Sequence, residues 1–353
     1  MKLLARLLVC SCALLPAGAP GRTIVVYPNL NSIQSAIDAS QARDSVLVLP
    51  GYYYERLVLK DGVAVISQVD GAAVLEAESE GSAITAIGVG GATLVRGLVV
   101  QHGGAYLGGG LYALASSPTL QKCVFNANSA VLGGGAYLRD GSKPYFSGCT
   151  FSHNQASVGG GLYLDFSAAR LDSTSVTDNV ASADGSAFSA NNAAEAQVTH
   201  SCISRNRTGQ GSTVACNESS PTFTNCTLAS NTNDLPSAGT FGLRSAGTRV
   251  ERCIVAFNAA PVLVCTGFSS PWIGCNDIYG NTSDAICSGD QGTNLFADPL
   301  FCDASSSNYE LHANSPAATS AWGLLGAHAV GCSGIDTAVE PTTWSGFKAL
   351  YRR

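Results

Sequence analysis

Residues 123–137 read CVFNANSAVLGGGAY, and residues 149–163 repeat the pattern as CTFSHNQASVGGGLY. Each segment joins a short apolar stretch, an asparagine and a run of three glycines. The asparagine recurs every 25 to 27 residues, at Asn128, Asn154, Asn179, Asn206, Asn231 and Asn258. The glycine-rich element recurs in step with it, as GGGLY at 108–112, GGGAY at 133–137, GGGLY at 159–163 and the weaker DGSAF at 184–188. Two elements that share one period indicate a structural repeat of about 25 residues.

A repeat of this length cannot bury its own apolar face and must stack on its neighbours. The apolar alternation, the glycines and the absence of long helical patterns favour strands, and the leucine lattice of leucine-rich repeats is missing. We therefore predict an all-β fold, a right-handed parallel β-helix of about 10 rungs. Each asparagine is expected to start a turn, tolerate a left-handed backbone and stack on its copies. The glycines are expected at a second corner, where a Cβ does not fit.

Two resemblances support this fold. The segments FNANSAVLGGGAY and FSHNQASVGGGLY resemble the FxxN and GGA[ILV] repeats of the chlamydial polymorphic outer-membrane proteins, over roughly residues 100–190. Residues 32–63, SIQSAIDASQARDSVLVLPGYYYERLVLKDGV, resemble the entry to the pectin-lyase-like superfamily, a short helix followed by a PGxYxE strand. The resemblances imply the β-helix but leave function open, because that superfamily includes lyases, hydrolases, esterases and non-catalytic surface proteins.

The composition narrows the classes of partner. Only 12% of the residues are charged, the net charge is −6, and no run of Lys or Arg occurs. Like charges stacked in register repel, so a low charge content is typical of a solenoid with stacked columns. The basic patch of a nucleic-acid-binding protein is missing, and we expect no nucleic-acid partner.

The chain divides into three parts by its sequence. Residues 1–20 read as a signal peptide with an approximate cleavage site, residues 21–334 as the β-helix domain, and residues 335–353 as a tail with the features of a sorting signal. Within the domain, residues 32–40 are expected to form a short capping helix with Ser32 as N-cap and Ile33 and Ile37 facing inward. We expect a secreted or cell-surface protein, bacterial in origin, without a transmembrane span in the mature chain.

Eleven cysteines follow the predicted signal peptide. Cys123, Cys149, Cys226 and Cys253 share one column of the repeat, and the strand alternation points them inward, where they are expected to stay reduced. In an oxidising compartment some of the later cysteines should pair. The candidates are Cys302 with Cys332 and Cys275 with Cys287.

The signatures of polygalacturonases and pectate lyases do not occur, which argues against catalysis. Glu76, Glu78 and Glu80 alternate on a predicted strand and form a calcium hypothesis, with a solvated acidic edge as the alternative. His102 and His153 are interpreted as turn residues in different columns without carboxylate partners. We predict no catalytic residues and no cofactor, and the sequence identifies no definite metal site.

An aromatic column is the most informative candidate site. Tyr112, Tyr137, Tyr163 and Phe188 recur with the repeat, and the apolar residues before them are expected to face inward. The aromatic side chains would then face outward beside Arg139 and Asp165, as an exposed ladder next to an Arg–Asp pair. Such a ladder is a platform for sugar rings, or a stack that only stabilises the fold.

Three functions remain open at this point. The leading hypothesis is a non-catalytic secreted or surface-attached β-helix that contacts polysaccharides or cell-surface glycans through the aromatic ladder. The alternatives are a polysaccharide lyase or glycoside hydrolase with a site outside the known signatures, and a structural envelope protein. The oligomeric state is not predicted.

Overall fold

The computed structural model describes residues 21–333. The predicted signal peptide and the predicted C-terminal tail lie outside the described residues. The chain winds as a right-handed parallel β-helix of about 10 rungs, with very little helix, as the repeat predicted. Each full rung runs through three long sheets in the order A, B, C, and six rungs also pass through a short sheet D between B and C.

The four sheets are parallel throughout, and neighbouring strands lie one rung apart. Sheet A consists of β1 (Thr23–Val26), β2 (Ser45–Val48), β5 (Ala64–Ser67), β8 (Leu94–Arg96), β12 (Thr119–Gln121), β16 (Tyr145–Ser147), β20 (Arg170–Asp172), β24 (Gln197–Thr199), β28 (Thr222–Thr224), β32 (Arg249–Glu251) and β35 (Trp272–Gly274). Sheet B consists of β3 (Gly51–Tyr54), β6 (Ala73–Glu76), β9 (Leu98–Gln101), β13 (Val124–Asn126), β17 (Thr150–Ser152), β21 (Ser175–Thr177), β25 (Cys202–Ser204), β29 (Thr227–Ala229), β33 (Ile254–Ala256) and β36 (Asp277–Tyr279).

The remaining strands complete the coil and its C-terminal extension. Sheet C consists of β4 (Leu57–Val58), β7 (Ile84–Ile87), β11 (Leu111–Leu114), β15 (Ala136–Arg139), β19 (Leu162–Asp165), β23 (Phe188–Asn191), β27 (Val214–Asn217), β31 (Phe241–Arg244) and β34 (Leu263–Thr266). Sheet D consists of β10 (Gly104–Leu107), β14 (Ser129–Leu132), β18 (Gln155–Val158), β22 (Val180–Asp184), β26 (Arg207–Thr208) and β30 (Thr232–Asn233). A separate small sheet contains β37 (Phe301–Asp303), β38 (Asn308–His312) and β39 (Val330–Cys332), with a 3₁₀ turn at Ala304–Ser306.

The predicted asparagine column is a buried ladder at the turn after sheet B. The Oδ1 atom of Asn154 accepts from the backbone N–H and from Nδ2 of Asn128, both at 3.0 Å. Its own Nδ2 donates to the carbonyl of Phe125 at 2.9 Å and to Oδ1 of Asn179 at 2.9 Å. The same bonds link the other members, and the ladder continues to Asn281. The ladder therefore supplies partners to turn backbone groups that are closed off from water.

The expectation that these asparagines adopt the left-handed conformation is wrong. That conformation belongs to the residue before each of them, for example Ala127 with φ 53° and His153 with φ 55°. The preceding residue makes the sharp turn, and the asparagine after it is buried with its amide bonded to the neighbouring rungs. The glycine expectation is correct: Gly133 and Gly159 have φ near 70°, and a Cβ on Gly134 would lie 2.6 Å from a backbone oxygen of the next rung.

A helix closes the N-terminal end of the coil as predicted. Helix α1 spans Ile33–Ala39, and the Ser32 side chain accepts from the N–H of Ser35 as its N-cap. Ile33 and Ile37 are buried against the first rungs. Glu55 adds to the cap by accepting from the Ile33 N–H at 2.8 Å, so the PGxYxE strand and the helix are joined by a carboxylate.

The cysteine predictions are confirmed in part. The inward column is buried with its thiols free, and Cys302 pairs with Cys332. The expected pair of Cys275 and Cys287 is wrong, because Cys287 bonds Cys265 and Cys275 is free. Cys265 and Cys287 are 22 residues apart, close to one rung, so they lie on the same side of adjacent turns. Cys275 and Cys287 are only 12 residues apart, about half a rung, so their side chains lie on different sides of the coil.

Residues 304–332, called the strap here, fold back along the outside of sheet B. Leu311 packs on Ile254 and Ala256 of that sheet, and Tyr309 packs on Cys202 and Ala229. The Cys302–Cys332 disulfide closes the strap. The strap thus covers an outer face of the last rungs of the coil.

Candidate functional site

The outer face of sheet C carries two parallel columns of side chains. The second residue of each strand forms one column, which runs Tyr112, Tyr137, Tyr163, Ser189, Ala215 and Gly242. The fourth residue forms the other, which runs Leu114, Arg139, Asp165, Asn191, Asn217 and Arg244. Three aromatic residues are therefore followed in the same column by three small ones, and the surface changes from a ridge to a depression.

The three tyrosines form a stack along the coil axis, called the tyrosine ladder here. The ring centroids of Tyr112 and Tyr137 are 6.1 Å apart with 2° between the planes, and those of Tyr137 and Tyr163 are 5.2 Å apart with 18°. Tyr137 is only 4% exposed because its neighbours cover both faces of its ring. Burial, with the charge of Asp165 nearby, raises the pKa of Tyr137 to about 12. The predicted outward direction is correct, but the ladder is largely covered, with Tyr137 buried and Tyr112 and Tyr163 only partly exposed.

Phe188 does not belong to the ladder, contrary to the prediction. It pairs with Leu162 in the inward column and is buried in the core, and Ser189 occupies the place beside Tyr163. The register between β18 and β22 shifts, and Val158 pairs with Asp184 across it. One extra residue in that turn lengthens the repeat and moves Phe188 to the other face of the strand.

The expected pair of Arg139 and Asp165 is also not formed. The two residues are neighbours in register, but Arg139 binds the adjacent Asp140 with Nε 3.0 Å from Oδ2. Asp165 accepts from Nδ2 of Asn192 at 2.7 Å and lies 3.4 Å from the Tyr137 hydroxyl. Arg139 and Asp165 therefore each bond a residue at the turn after sheet C and do not bond each other.

A cleft of about 320 Å³ opens where the column changes to small residues. Its floor includes Ala215 and Gly242, and polar side chains surround it, among them Asp184, Asn217 and Arg244. The backbone around Ser212 forms one wall, and a Cβ on Gly242 would lie 2.2 Å from the Ser212 hydroxyl oxygen. Glycine at this position therefore keeps room for that wall.

Asp184 is held in a fixed orientation at the edge of the cleft. Its Oδ1 accepts from the N–H of Ser212 at 2.7 Å and from the N–H of Gly185 at 3.0 Å. Burial raises the pKa of Asp184, against the lowering effect of these two donors. The carboxyl group can accept from a ligand hydroxyl at neutral pH, and it holds a proton more readily than an exposed aspartate.

Two further groups in the cleft have no partner within residues 21–333. Arg244 is exposed and makes no ion pair with a described residue. The Oδ1 atom of Asn217 is buried and accepts no hydrogen bond there. A buried acceptor and an exposed cation in one cleft suit a ligand that carries both hydroxyl and acidic groups.

The calcium hypothesis is not supported by the geometry. Glu76 lies 2.8 Å from Nδ1 of His102, Glu80 binds Arg56, and Glu78 is exposed at a left-handed turn. Within the described part of the chain, no three His, Cys, Asp or Glu side chains gather closely enough to hold a metal ion. His102 and His153 are turn residues as expected, but they share one column, and His102 does have a carboxylate partner.

The comparisons with known proteins agree with the architecture. Residues 77–228 match the family model described as a right-handed β-helix region. The pectate lyase Pel9A superposes with a TM-score of 0.61 at 15% identity, over 89% of this chain and 97% of that chain. An alginate lyase from Paenibacillus sp. str. FPU-7 superposes with a TM-score of 0.50 at 12% identity, over 78% of this chain and 98% of that chain. No curated protein matches the sequence.

The chain is therefore a right-handed parallel β-helix, similar in fold to the pectate lyase and the alginate lyase. At these identities the likeness concerns the fold alone, and it is shared with enzymes that act on polysaccharides. The resemblance to the chlamydial proteins stays a prediction. Between residues 21 and 333, no helix has the length and apolarity that a membrane crossing needs.

The cleft residues were not among the sequence candidates. Asp184 appears in the sequence only as the first letter of the weakest glycine element, Asn217 only as the start of the sequon Asn217-Glu-Ser, and Arg244 belongs to no motif. The only sequence signal for the cleft is that the residue after Tyr163 in the column is not aromatic. This signal is recognised only when the extra residue before Phe188 is counted, because Ser189 and not Phe188 then follows Tyr163.

Proposed function

We propose that this protein is an exported, non-catalytic polysaccharide-binding β-helix whose binding groove lies on the outer face of sheet C. The observation that carries the proposal is the continuity of the tyrosine ladder with the cleft at Ala215 and Gly242. The groove runs three rungs from Tyr163 to Gly242, about 14 Å at the usual spacing of strands. This length suits a few sugar residues of an extended chain.

The ladder ends in a ring face that has no aromatic neighbour. Tyr137 covers one face of Tyr163, and the next residue in the column is the small Ser189. A sugar ring stacked on the other face of Tyr163 continues the ladder, because apolar C–H faces of sugars pack on aromatic rings as another ring does. The following sugar then lies over Ala215, where the small side chain leaves room for it.

The polar groups of the cleft favour an acidic sugar. The guanidinium of Arg244 binds a carboxylate or sulfate, and planar guanidinium groups suit such recognition. The carboxylate of Asp184 and the Oδ1 of Asn217 accept from sugar hydroxyls. A uronate-containing polysaccharide provides both kinds of group in each repeat.

The two disulfides support export, since such bonds persist in oxidising compartments. Attachment to a cell surface and a bacterial source stay part of the proposal. They rest on the sequences of residues 1–20 and 335–353, which lie outside the described residues.

The proposal is tested by binding to immobilised polygalacturonate, alginate and a neutral glucan. Ala215→Trp fills the cleft, and Tyr163→Ala removes the stacking face. We expect the first to abolish binding and the second to weaken it about tenfold, roughly the loss of one aromatic contact and its buried area. Arg244→Gln should weaken binding of the acidic polymers only.

Tyr145→Ala is the matched control, because Tyr145 is an outward tyrosine of sheet A that stacks under Arg170. It should leave binding unchanged. Absence of binding by the wild-type protein, or equal binding by wild type and Ala215→Trp, refutes the proposal and favours a purely structural role.

A polysaccharide-cleaving enzyme is the second candidate, and one observation favours it. Asp184, with its raised pKa, lines the same cleft as Arg244, and an acid or base beside a cation is an arrangement used in glycan cleavage. Unsaturated uronate absorbance, or new reducing ends, from polygalacturonate or alginate with calcium present decides between the two. Turnover that Asp184→Asn abolishes establishes the enzyme; absence of turnover together with binding establishes the binding protein.

A further inference from the structure

A second cleft lies on another side of the molecule, between sheet B and the strap. It has a volume of about 360 Å³. Its walls come from β21 and β25 of sheet B, from the turn residues next to them, and from Tyr309 and His328 of the strap. We call it the strap cleft.

The strap is fixed at several points, so the cleft is a built feature of the fold. Tyr309 packs on Cys202 and Ala229 of sheet B. The N–H of Ala327 donates to Oγ1 of Thr227 at 2.9 Å, and the N–H of Gly326 donates to the carbonyl of Arg252 at 2.9 Å. The strap therefore holds Tyr309 and His328 in place over the sheet.

Two hydrogen-bond donors in the strap cleft are buried without a partner in residues 21–333. They are Nη1 of Arg205 and the hydroxyl of Tyr309, whose residue is only 3% exposed. Asp178 fixes the rest of the guanidinium, with Nε 2.8 Å from Oδ1 and Nη2 2.6 Å from Oδ2. Nη1 is the free edge of a cation that the protein already holds rigid.

The surroundings of these donors hold hydroxyl and imidazole groups but no charged acceptor. The residues that line the cleft include Ser175, Ser204 and His328 but no aspartate or glutamate. A buried donor without an acceptor is costly, and the cost is larger when the donor is part of a charged group. An acceptor with negative charge satisfies both donors at once.

We infer that the strap cleft binds a compact oxyanion, through Nη1 of Arg205 and the hydroxyl of Tyr309. The cleft has more room than one oxyanion fills, so the anion is carried on a small polar molecule, a sugar acid, a sulfate ester or a phosphate ester. This site lies on sheet B, whereas the polysaccharide groove lies on sheet C. The two proposals can therefore fail independently.

The test measures binding of sulfate, phosphate and galacturonate to the full chain by calorimetry, with galactose as the uncharged comparison. Tyr309→Phe removes only the hydroxyl and keeps the ring on Cys202. Arg205→Lys keeps the charge beside Asp178 and removes Nη1. We expect each variant to bind the preferred anion about tenfold more weakly than wild type, the size expected from one lost hydrogen bond to a charged group.

Two matched variants serve as controls. Tyr145→Phe removes a hydroxyl from the outer face of sheet A, and Arg207→Lys changes an exposed arginine that binds Asp234. Both should bind the anion as wild type does. Thermal shifts alone are not used, because sulfate and phosphate raise protein stability by exclusion from the surface.

The three anions distinguish the source of the ligand. Preference for galacturonate indicates a sugar acid, and preference for sulfate or phosphate indicates the corresponding ester. Absence of binding for all three anions overturns the inference. Binding that neither Tyr309→Phe nor Arg205→Lys changes overturns it as well, since the anion then lies elsewhere.

Discussion

Replacing Asn154 by alanine removes one step of the asparagine ladder and is the sharpest test of what holds the rungs together. The side chain makes four hydrogen bonds, all between buried groups. Its loss leaves the N–H of Asn128 and the carbonyl of Phe125 without these partners. At about 1 kcal/mol for each bond, the free energy of unfolding should fall by roughly 4 kcal/mol.

Urea unfolding followed by far-UV circular dichroism measures this loss. Asn126→Ala is the matched control, because Asn126 lies two residues before the ladder on the outer face of β13. Its side chain accepts one bond, from the hydroxyl of Ser152 at 3.1 Å. We expect its loss to cost less than about 1 kcal/mol. If the two substitutions lower the free energy of unfolding equally, the asparagine hydrogen bonds do not stabilise the stacking of the rungs, and the stacked apolar side chains provide the stability.

Two further predictions concern titration and covalent links. Burial raises the pKa of Asp277 to about 6. The protonated carboxyl is therefore favoured in the folded state, and its full contribution to the free energy of unfolding, present below about pH 4, is lost as the pH rises to 6. Asp277→Asn should therefore equal wild type at pH 4 in urea unfolding and exceed it by up to about 3 kcal/mol at pH 7, and equal stability at both values would contradict this reasoning. Non-reducing peptide mapping should recover Cys265 linked to Cys287 and Cys302 linked to Cys332. Removing the second link with Cys332→Ser should lower stability by about 3–4 kcal/mol, the loop-closure value for about 30 residues, and earlier proteolysis within the strap is the accompanying readout.

The fold could be predicted because its signals are local and recur in every rung. The asparagine after each short apolar stretch and the glycines before sheet C repeat with one period, and no competing fold places both in register. The helix α1 was predictable for the same kind of reason, since Ser32, Ile33 and Ile37 carry its cap and its buried face within a few residues.

The candidate site could be predicted only in part. The direction of Tyr112, Tyr137 and Tyr163 followed from strand alternation, but Phe188 did not, because a single inserted residue in β22 moves it to the opposite face. The cleft depends on that same register, since Ser189 and not Phe188 follows Tyr163. Counting from the glycine pair Gly159 and Gly185 gives the correct step of 26 residues.

By itself the sequence determined the coil, its period, the stacked asparagine column, the inward cysteine column and the N-terminal cap, because each depends on neighbours along the chain or on the next rung. Only the tertiary structure decided the partners of Arg139 and Cys287, the course of the strap and the two clefts. Those features depend on contacts such as that between Ala327 and Thr227, which are 100 residues apart. Such a contact occurs once in the structure, so no repeated sequence pattern predicts it.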